Sequence, residues 1–227
     1  MKLSLQELKD TAVLRAGLYS LFSKIFREEA DLQLLKLMKK SVDKFDSSKN
    51  YNNSNKSLDL DDGCKSLRDF FSENTVDDDL CEELAADYAS LFLGAGKHPA
   101  HPYESVHTSE DGIIMREAWS NVLQTYGEFC LRKTDNYTQP EDHIAIELEF
   151  MAYLCLEMQK AIAMEDSKSI DVLIKTQKNF IKKHLVSWAP NFCSDIVKGS
   201  AKLNFYGAVS KIVRNFIIIE ENTFKTG

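Results

Sequence analysis

The sequence predicts an all-α protein, a helical bundle of eight or nine helices that divides into two sub-bundles around a central hinge loop. Apolar residues recur at three- and four-residue steps along nearly the whole chain, and no segment alternates apolar with polar residues as a half-buried strand would. Helix breakers are also few, with 9 glycines and 4 prolines among 227 residues. Three of the prolines, Pro99, Pro102 and Pro140, fall in loop-like sequence and leave the periodic runs intact.

The first helix is expected over residues 5–26, where Leu5, Leu8, Ala12, Tyr19, Phe22 and Phe26 form one stripe and Leu14, Leu18, Leu21 and Ile25 a second beside it. Another is expected over residues 31–45, with Leu34, Leu35, Leu37 and Met38 inward. The polar tract over residues 46–63 holds too few apolar side chains to offset its ordering entropy and reads as a surface loop. Helices resume over residues 64–71 and 77–93, the latter through Leu84, Tyr88 and Leu91.

Residues 94–112 carry Gly94, Gly96, Pro99, Pro102 and Gly112 and read as a long loop, a kind of segment that often holds function. This loop separates an N-terminal part, residues 1–93, from a C-terminal part, residues 113–227, of one domain. Beyond it, residues 115–129 and 144–162 form two helices, the second having the clearest stripe in the chain. Helices over residues 171–188 and 191–198 follow, with Gly199 as the natural stop, and a last one carries Phe205, Val209, Ile212, Val213 and Phe216.

Composition removes several function classes. With 44% hydrophobic and 28% charged residues the chain can bury a sizeable core. Its net charge of −7 disfavours nucleic-acid binding, which needs a basic face to displace counterions, while leaving a basic peptide as a fitting partner. The five cysteines, Cys64, Cys81, Cys130, Cys155 and Cys193, form no C-x-x-C pair and read as reduced core residues. The N-terminal MKLSLQELKD lacks the basic start and apolar block of an export signal, and the apolar stretch over residues 216–219 is far too short to span a bilayer, so a cytoplasmic location is expected.

The sharpest local feature is Thr138-Gln139-Pro140-Glu141-Asp142-His143, just before the best helix. Thr138 and Glu141 have capping-box spacing and Pro140 suits a first helical turn, so helix initiation alone can account for the motif. The alternative is that Asp142 and His143 offer a carboxylate and an imidazole to a cationic guest beside the long loop. His98, His101 and His107 leave a third possibility open, a metal-dependent hydrolase, although no H-E-x-x-H or Cys/His ligand frame occurs and the metal reading is set aside. Nucleotide-cradling motifs and a G-x-S-x-G elbow are absent, and neither a catalytic residue nor a cofactor is assigned.

Several segments together carry a family resemblance: RAGLYSLFSKIF over residues 15–26, DYASLFLG over 87–94, PYESVH over 102–107, QPEDHIAIELEFM over 139–151, HLVSWAPNFC over 184–193, and Phe205-Tyr206. The chain resembles the cytoplasmic chaperones of molybdenum-containing oxidoreductases, the TorD/DmsD family of redox-enzyme maturation proteins. Pro140-Glu141-Asp142-His143 followed by Glu147-Leu148-Glu149-Phe150-Met151 is the most specific piece. Gln139 stands where the family usually has Glu and His107 where it usually has an aromatic, which alters one carboxylate and one apolar contact.

The resemblance implies an all-helical, TorD/DmsD-like protein that catalyses nothing. Its expected task is to bind the twin-arginine signal peptide and the apo form of a molybdopterin oxidoreductase and to delay export until the cofactor is in place. It also implies a monomer or a helix-exchanged dimer. The expected signal-peptide site comprises Tyr103, Ser105, Val106, His107, Pro140, Glu141, Asp142 and His143, with Leu91 and Phe92 on the neighbouring helix. A helical scaffold without a peptide groove is the remaining alternative. Micromolar affinity needs about 8 kcal/mol, more than two arginine contacts supply, so the groove is expected to add roughly 200 Å² of apolar burial, on the order of 5 kcal/mol.

Overall fold

The computed structural model describes residues 5–42, 58–199 and 201–225. Among these residues the helices are α1 (Leu5–Arg27), α2 (Leu32–Val42), α3 (Leu58–Glu73), α4 (Asp78–Phe92), α5 (Glu104–Thr108), α6 (Glu117–Glu128), α7 (Ile144–Ala163), α8 (Ser167–Phe180), α9 (Val186–Gly199) and α10 (Phe205–Lys225). A π-turn over Ile181–Leu185 joins α8 to α9. The all-α class holds, and the extended pairing among the described residues is an isolated bridge between Tyr103 and His143.

Three boundaries differ from expectation for physical reasons. The polar tract over residues 46–63 already turns helical at Leu58, while its earlier residues, like the end of the helix expected over 31–45, lie outside the described residues. The long loop over 94–112 contains α5, a single turn held by tertiary bonds. The helix expected over residues 144–162 begins as expected at Ile144, after a turn over 140–143 in which the His143 N–H donates to the Pro140 carbonyl. Pro190 does not break the chain into two helices: it lies inside α9, whose helical run continues from the π-turn through it to Gly199.

The chain divides into two compact units that do not follow sequence order: Met1–Arg27, Pro102–Ala189 and Glu220–Gly227 make the first, and Glu28–His101 with Pro190–Ile219 the second. The boundary is therefore not a single loop between residues 94 and 112.

In the first unit α1 lies along α7. The α7 sequence is apolar over most of its circumference and buries Ile144, Leu148, Met151, Cys155 and Met158, leaving one stripe through Glu149, Leu156 and Lys160 exposed. On α1 the stripe of Ala12, Tyr19, Phe22 and Phe26 is buried together with Ala16 and Ile25. The second stripe lies at the rim, with Leu14 exposed and Leu18 and Leu21 half-buried, since one helix cannot turn two full faces toward one neighbour. A long-range latch closes this unit: Arg15 Nε donates to both Glu220 carboxylate oxygens at 2.9 and 2.8 Å, and the Tyr19 hydroxyl donates to Oε2 at 2.7 Å.

The second unit is built on aromatic contacts. Tyr88, Phe92, Phe192 and Tyr206 pack with centroids 5.0 to 6.0 Å apart, and Phe70, Phe71 and Phe205 continue the cluster. Buried Asp87 accepts the backbone N–H groups of Lys202 and Leu203 at 2.9 and 2.8 Å, which fixes the turn leading into α10. Gly199 is needed at the end of α9, since a Cβ there would stand 2.7 Å from the His98 carbonyl oxygen. Leu37, expected inward, is exposed. Cys64, Cys155 and Cys193 are free and buried, whereas Cys130 is exposed, contrary to the expected core role.

Candidate functional site

A five-residue helix such as α5 cannot stand on its own propensity. What holds it is the turn before α7. The Glu104 N–H donates to the Asp142 carbonyl and the Ile144 N–H to the Pro102 carbonyl, both at 2.9 Å, forming the bridge between Tyr103 and His143. The Asp142 carboxylate then caps α5: Oδ2 accepts the Ser105 N–H at 2.9 Å and the Ser105 hydroxyl at 2.5 Å. The same Ser105 Oγ accepts the Arg116 N–H at 3.1 Å, at the start of α6. One carboxylate thus organises two helix starts. Burial raises the Asp142 carboxyl above its ordinary range, against the lowering effect of the Ser105 bonds.

Glu141 and His143 complete this junction. The Trp119 indole N–H donates to Glu141 Oε2 at 2.6 Å, Lys133 Nζ lies 3.3 Å from Oε1, and the Tyr126 hydroxyl donates to the Glu141 carbonyl at 3.2 Å. His143, and not a Thr138–Glu141 capping box, is the N-cap of α7, its Nδ1 accepting the Ala145 N–H at 3.1 Å. Burial, aided by the nearby Arg27 charge, pushes its imidazole down to about 3, so the ring is neutral and free to accept. The Tyr103 hydroxyl donates to Gln139 Oε1 at 2.5 Å, so the amide that stands in place of a carboxylate still serves as an acceptor.

Behind α5 lies a buried polar network that sequence reasoning did not assign to the site. Glu104 Oε2 meets His184 Nδ1 at 2.8 Å, and the Trp188 indole donates to Glu147 Oε2 at 3.1 Å. Burial, and then the neighbouring Glu104, hold the Glu147 carboxyl well above the ordinary range. The π-turn aims His184 at Glu104, a role π-turns often have at functional positions. His107 packs its ring against Trp188 with centroids 5.3 Å apart and the planes tilted by 32°, so it keeps a ring contact where an aromatic is usual. The available signal was that Glu104, Glu147, His184 and Trp188 all fall inside the segments that carry the family resemblance.

In front of this network opens a cleft of about 1060 Å³ between α5, α6 and the π-turn. Glu104 and His184 lie at its base, Glu110, Asp111, Glu117 and Glu128 supply further carboxylates, and Arg116 and Lys183 are its cations. Arg116 is taken up by Asp111, with its Nε and one terminal nitrogen 2.9 and 2.7 Å from Oδ2. On α6, Glu117, Asn121, Gln124, Thr125 and Glu128 line the same wall, as their three- and four-residue spacing requires. Between Asp111 and Arg116 run Ile113, Ile114 and Met115, which are 48%, 42% and 50% exposed.

The expected site residues therefore separate into two groups. Asp142 and His143, 0% and 4% exposed, face internal partners and do not present themselves to a guest, and Ser105 is likewise interior. Leu91 and Phe92 belong to the core of the second unit, against the expectation that they floor an open groove. Tyr103, Val106, His107, Pro140 and Glu141 are half-buried around the α5 junction. No group of three or more His, Cys, Asp or Glu side chains is placed to hold a metal ion among the described residues.

The fold matches that of a solved structure described as a redox enzyme maturation protein from Archaeoglobus fulgidus, 20% identical, with 90% of this chain and 94% of that chain covered and a TM-score of 0.50. The chain belongs to the nitrate reductase delta subunit family, whose model matches residues 54–194. Among curated relatives, chaperone protein TorD from Vibrio cholerae is 31% identical over 135 residues, 60% of this chain and 59% of that protein. Chaperone protein TorD from Vibrio parahaemolyticus is 27% identical over 213 residues, 93% of this chain and 95% of that protein.

Proposed function

We propose that this protein is a cytoplasmic maturation chaperone for a molybdopterin oxidoreductase, and that it holds the twin-arginine leader of the immature client in the cleft between α5 and α6 without altering it covalently. The supporting observation is a cleft with surplus carboxylates and, in the stretch of chain between its lining residues Asp111 and Arg116, the exposed apolar run Ile113-Ile114-Met115. Glu110, Glu117 and Glu128 are exposed carboxylates on the cleft wall, available for guanidinium groups. Each such solvent-exposed contact contributes under about 1 kcal/mol, so arginine recognition alone falls short of the roughly 8 kcal/mol that micromolar binding requires.

The apolar run supplies the remainder. Covering about 200 Å² of it contributes on the order of 5 kcal/mol. Met115 sits at φ 60, a left-handed conformation that costs a non-glycine residue roughly 1 kcal/mol or more, and such strain is commonly retained at binding positions. Asp142, Ser105 and Glu141 act at one remove: they position α5 and the start of α6, whose side chains form the two walls.

Titration of a twin-arginine leader peptide into the wild type, the Glu117→Lys/Glu128→Lys variant and Ile114→Ser tests this placement. Both variants bear changes at exposed positions and keep their melting temperature. The charge reversal weakens binding by about tenfold or more, and Ile114→Ser weakens it while reducing its retention at high salt. Unchanged affinity in both folded variants rules out the cleft.

A further inference from the structure

On the other side of α6 from the acidic cleft, the first unit has a second opening of opposite character. This furrow has a volume of about 410 Å³ and lies among α1, α7 and residues 131–137. Its floor is apolar, formed by buried Ile146 and Phe150, and its walls carry the half-buried Leu131 and Tyr153. Leu156 stands at its rim, 47% exposed. Three cations line it, Arg27, Arg132 and Lys133, against one carboxylate, Glu149. In a chain of net charge −7 this is a local inversion of sign.

The cations are not equivalent. Arg27 bonds Glu149 and lies over the Tyr137 ring at 5.3 Å, and Lys133 donates to the Gln139 carbonyl at 2.5 Å and reaches Glu141. Arg132 is exposed and forms no ion pair among the described residues. We propose that this furrow is a docking surface for an apolar peptide segment that carries carboxylates and is supplied by a partner protein. Its apolar side chains fill the floor over Ile146 and Phe150 and cover Leu156, and a carboxylate pairs with Arg132.

The charge decides the occupant. A twin-arginine leader would bring like charge to a furrow that is already positive, so this surface and the acidic cleft select opposite partners. A planar anion has a poorer fit, because Arg27 covers the Tyr137 face and Phe150 is buried, which leaves Tyr153 as the open ring. The inference does not depend on what occupies the cleft.

Calorimetric titration in the presence of saturating twin-arginine leader, which keeps the acidic cleft occupied, tests it with three short, capped peptides, one alternating leucine with glutamate, one leucine with glutamine and one leucine with lysine. The wild type binds the glutamate peptide saturably at one site, the glutamine peptide about tenfold more weakly and the lysine peptide weakest of all. Arg132→Glu reverses the order of the glutamate and lysine peptides, and Leu156→Lys weakens the glutamine peptide. Both positions are exposed, and thermal melting checks that the variants fold. A twin-arginine leader titrated in parallel keeps its affinity for both variants, which separates this surface from the cleft. Equal binding of the glutamate and lysine peptides, an unchanged order in Arg132→Glu, or no saturable binding of any peptide overturns the proposal.

Discussion

The Ser105 hydroxyl donates to Asp142 Oδ2 at 2.5 Å while accepting the Arg116 N–H at 3.1 Å, so one small side chain transmits the position of the α7 approach to both α5 and α6. Ser105→Ala leaves Asp142 with one donor fewer and the Arg116 N–H without its acceptor. The expected loss is about 2 to 3 kcal/mol, seen as a lower urea midpoint with an unchanged slope. Leader binding falls in step, since both cleft walls lose their anchor. A loss under about 0.5 kcal/mol would show that α5 is held mainly by its backbone bridge.

His143 predicts an acid-sensitive fold. Its folded-state value of about 3 lies below the unfolded value near 6.5, so the native ring is the neutral one and the unfolded chain takes up the proton first. The stability this confers is complete above about pH 6.5 and is lost as the pH falls toward 3, by about 1.4 kcal/mol per unit. His143→Asn keeps a capping oxygen without a titrating group. Urea titrations between pH 7 and 5 should show the slope in the wild type and a flatter profile in the variant.

Glu147 acts with the opposite sign. Burial, and then Glu104, raise its carboxyl well above the ordinary range in the folded chain, whereas the unfolded chain ionises it above about 4.5. The corresponding stability is present below that pH and is lost as the pH rises. Glu147→Gln keeps the shape and a donor toward Glu104, so it should raise the melting temperature at neutral pH and have little effect near pH 4. A marked destabilisation at neutral pH would mean that the native carboxyl is ionised.

The latch between Arg15 and Glu220 is nearly sheltered from water, with side chains 14% and 6% exposed. Removing one partner of a buried pair leaves the other uncompensated, which costs roughly 3 to 5 kcal/mol. Glu220→Ala is therefore expected to destabilise strongly by losing two partners, Arg15 and Tyr19, and Tyr19→Phe far less, by about 1 kcal/mol. Chemical denaturation of the two variants measures the difference.

The fold class was legible because helical periodicity is a local property. The α7 stripe through Leu148, Met151 and Cys155 can face nothing but a core, and these side chains are buried. Boundaries set by tertiary bonds were not legible. Nothing in PYESVH marks a helix, because α5 owes its existence to Asp142, 37 positions later. The π-turn was hidden for the same reason: Phe180, Ile181 and Leu185 satisfy an ordinary helical pattern.

The site was half legible. Asp142 and His143 were recognisable as special, but a carboxylate that reaches a guest and one that braces a turn look identical in a sequence. Burial alone separates them. The wall formed by Glu117 and Glu128 reads as an ordinary solvated helix face until the cleft beside it is seen.

The first unit draws on three stretches of chain, the last of which begins at Glu220. During vectorial synthesis its opening helix, carrying Arg15 and Tyr19, emerges from the ribosome some two hundred residues before the acceptor for both appears. Closure of the latch therefore waits until Glu220 has been made, and a nascent chain halted before it lacks the acceptor for Arg15 and Tyr19. A chain terminated before Glu220 should leave Arg15 and Tyr19 without their carboxylate and be more prone to quality-control degradation than one that carries it.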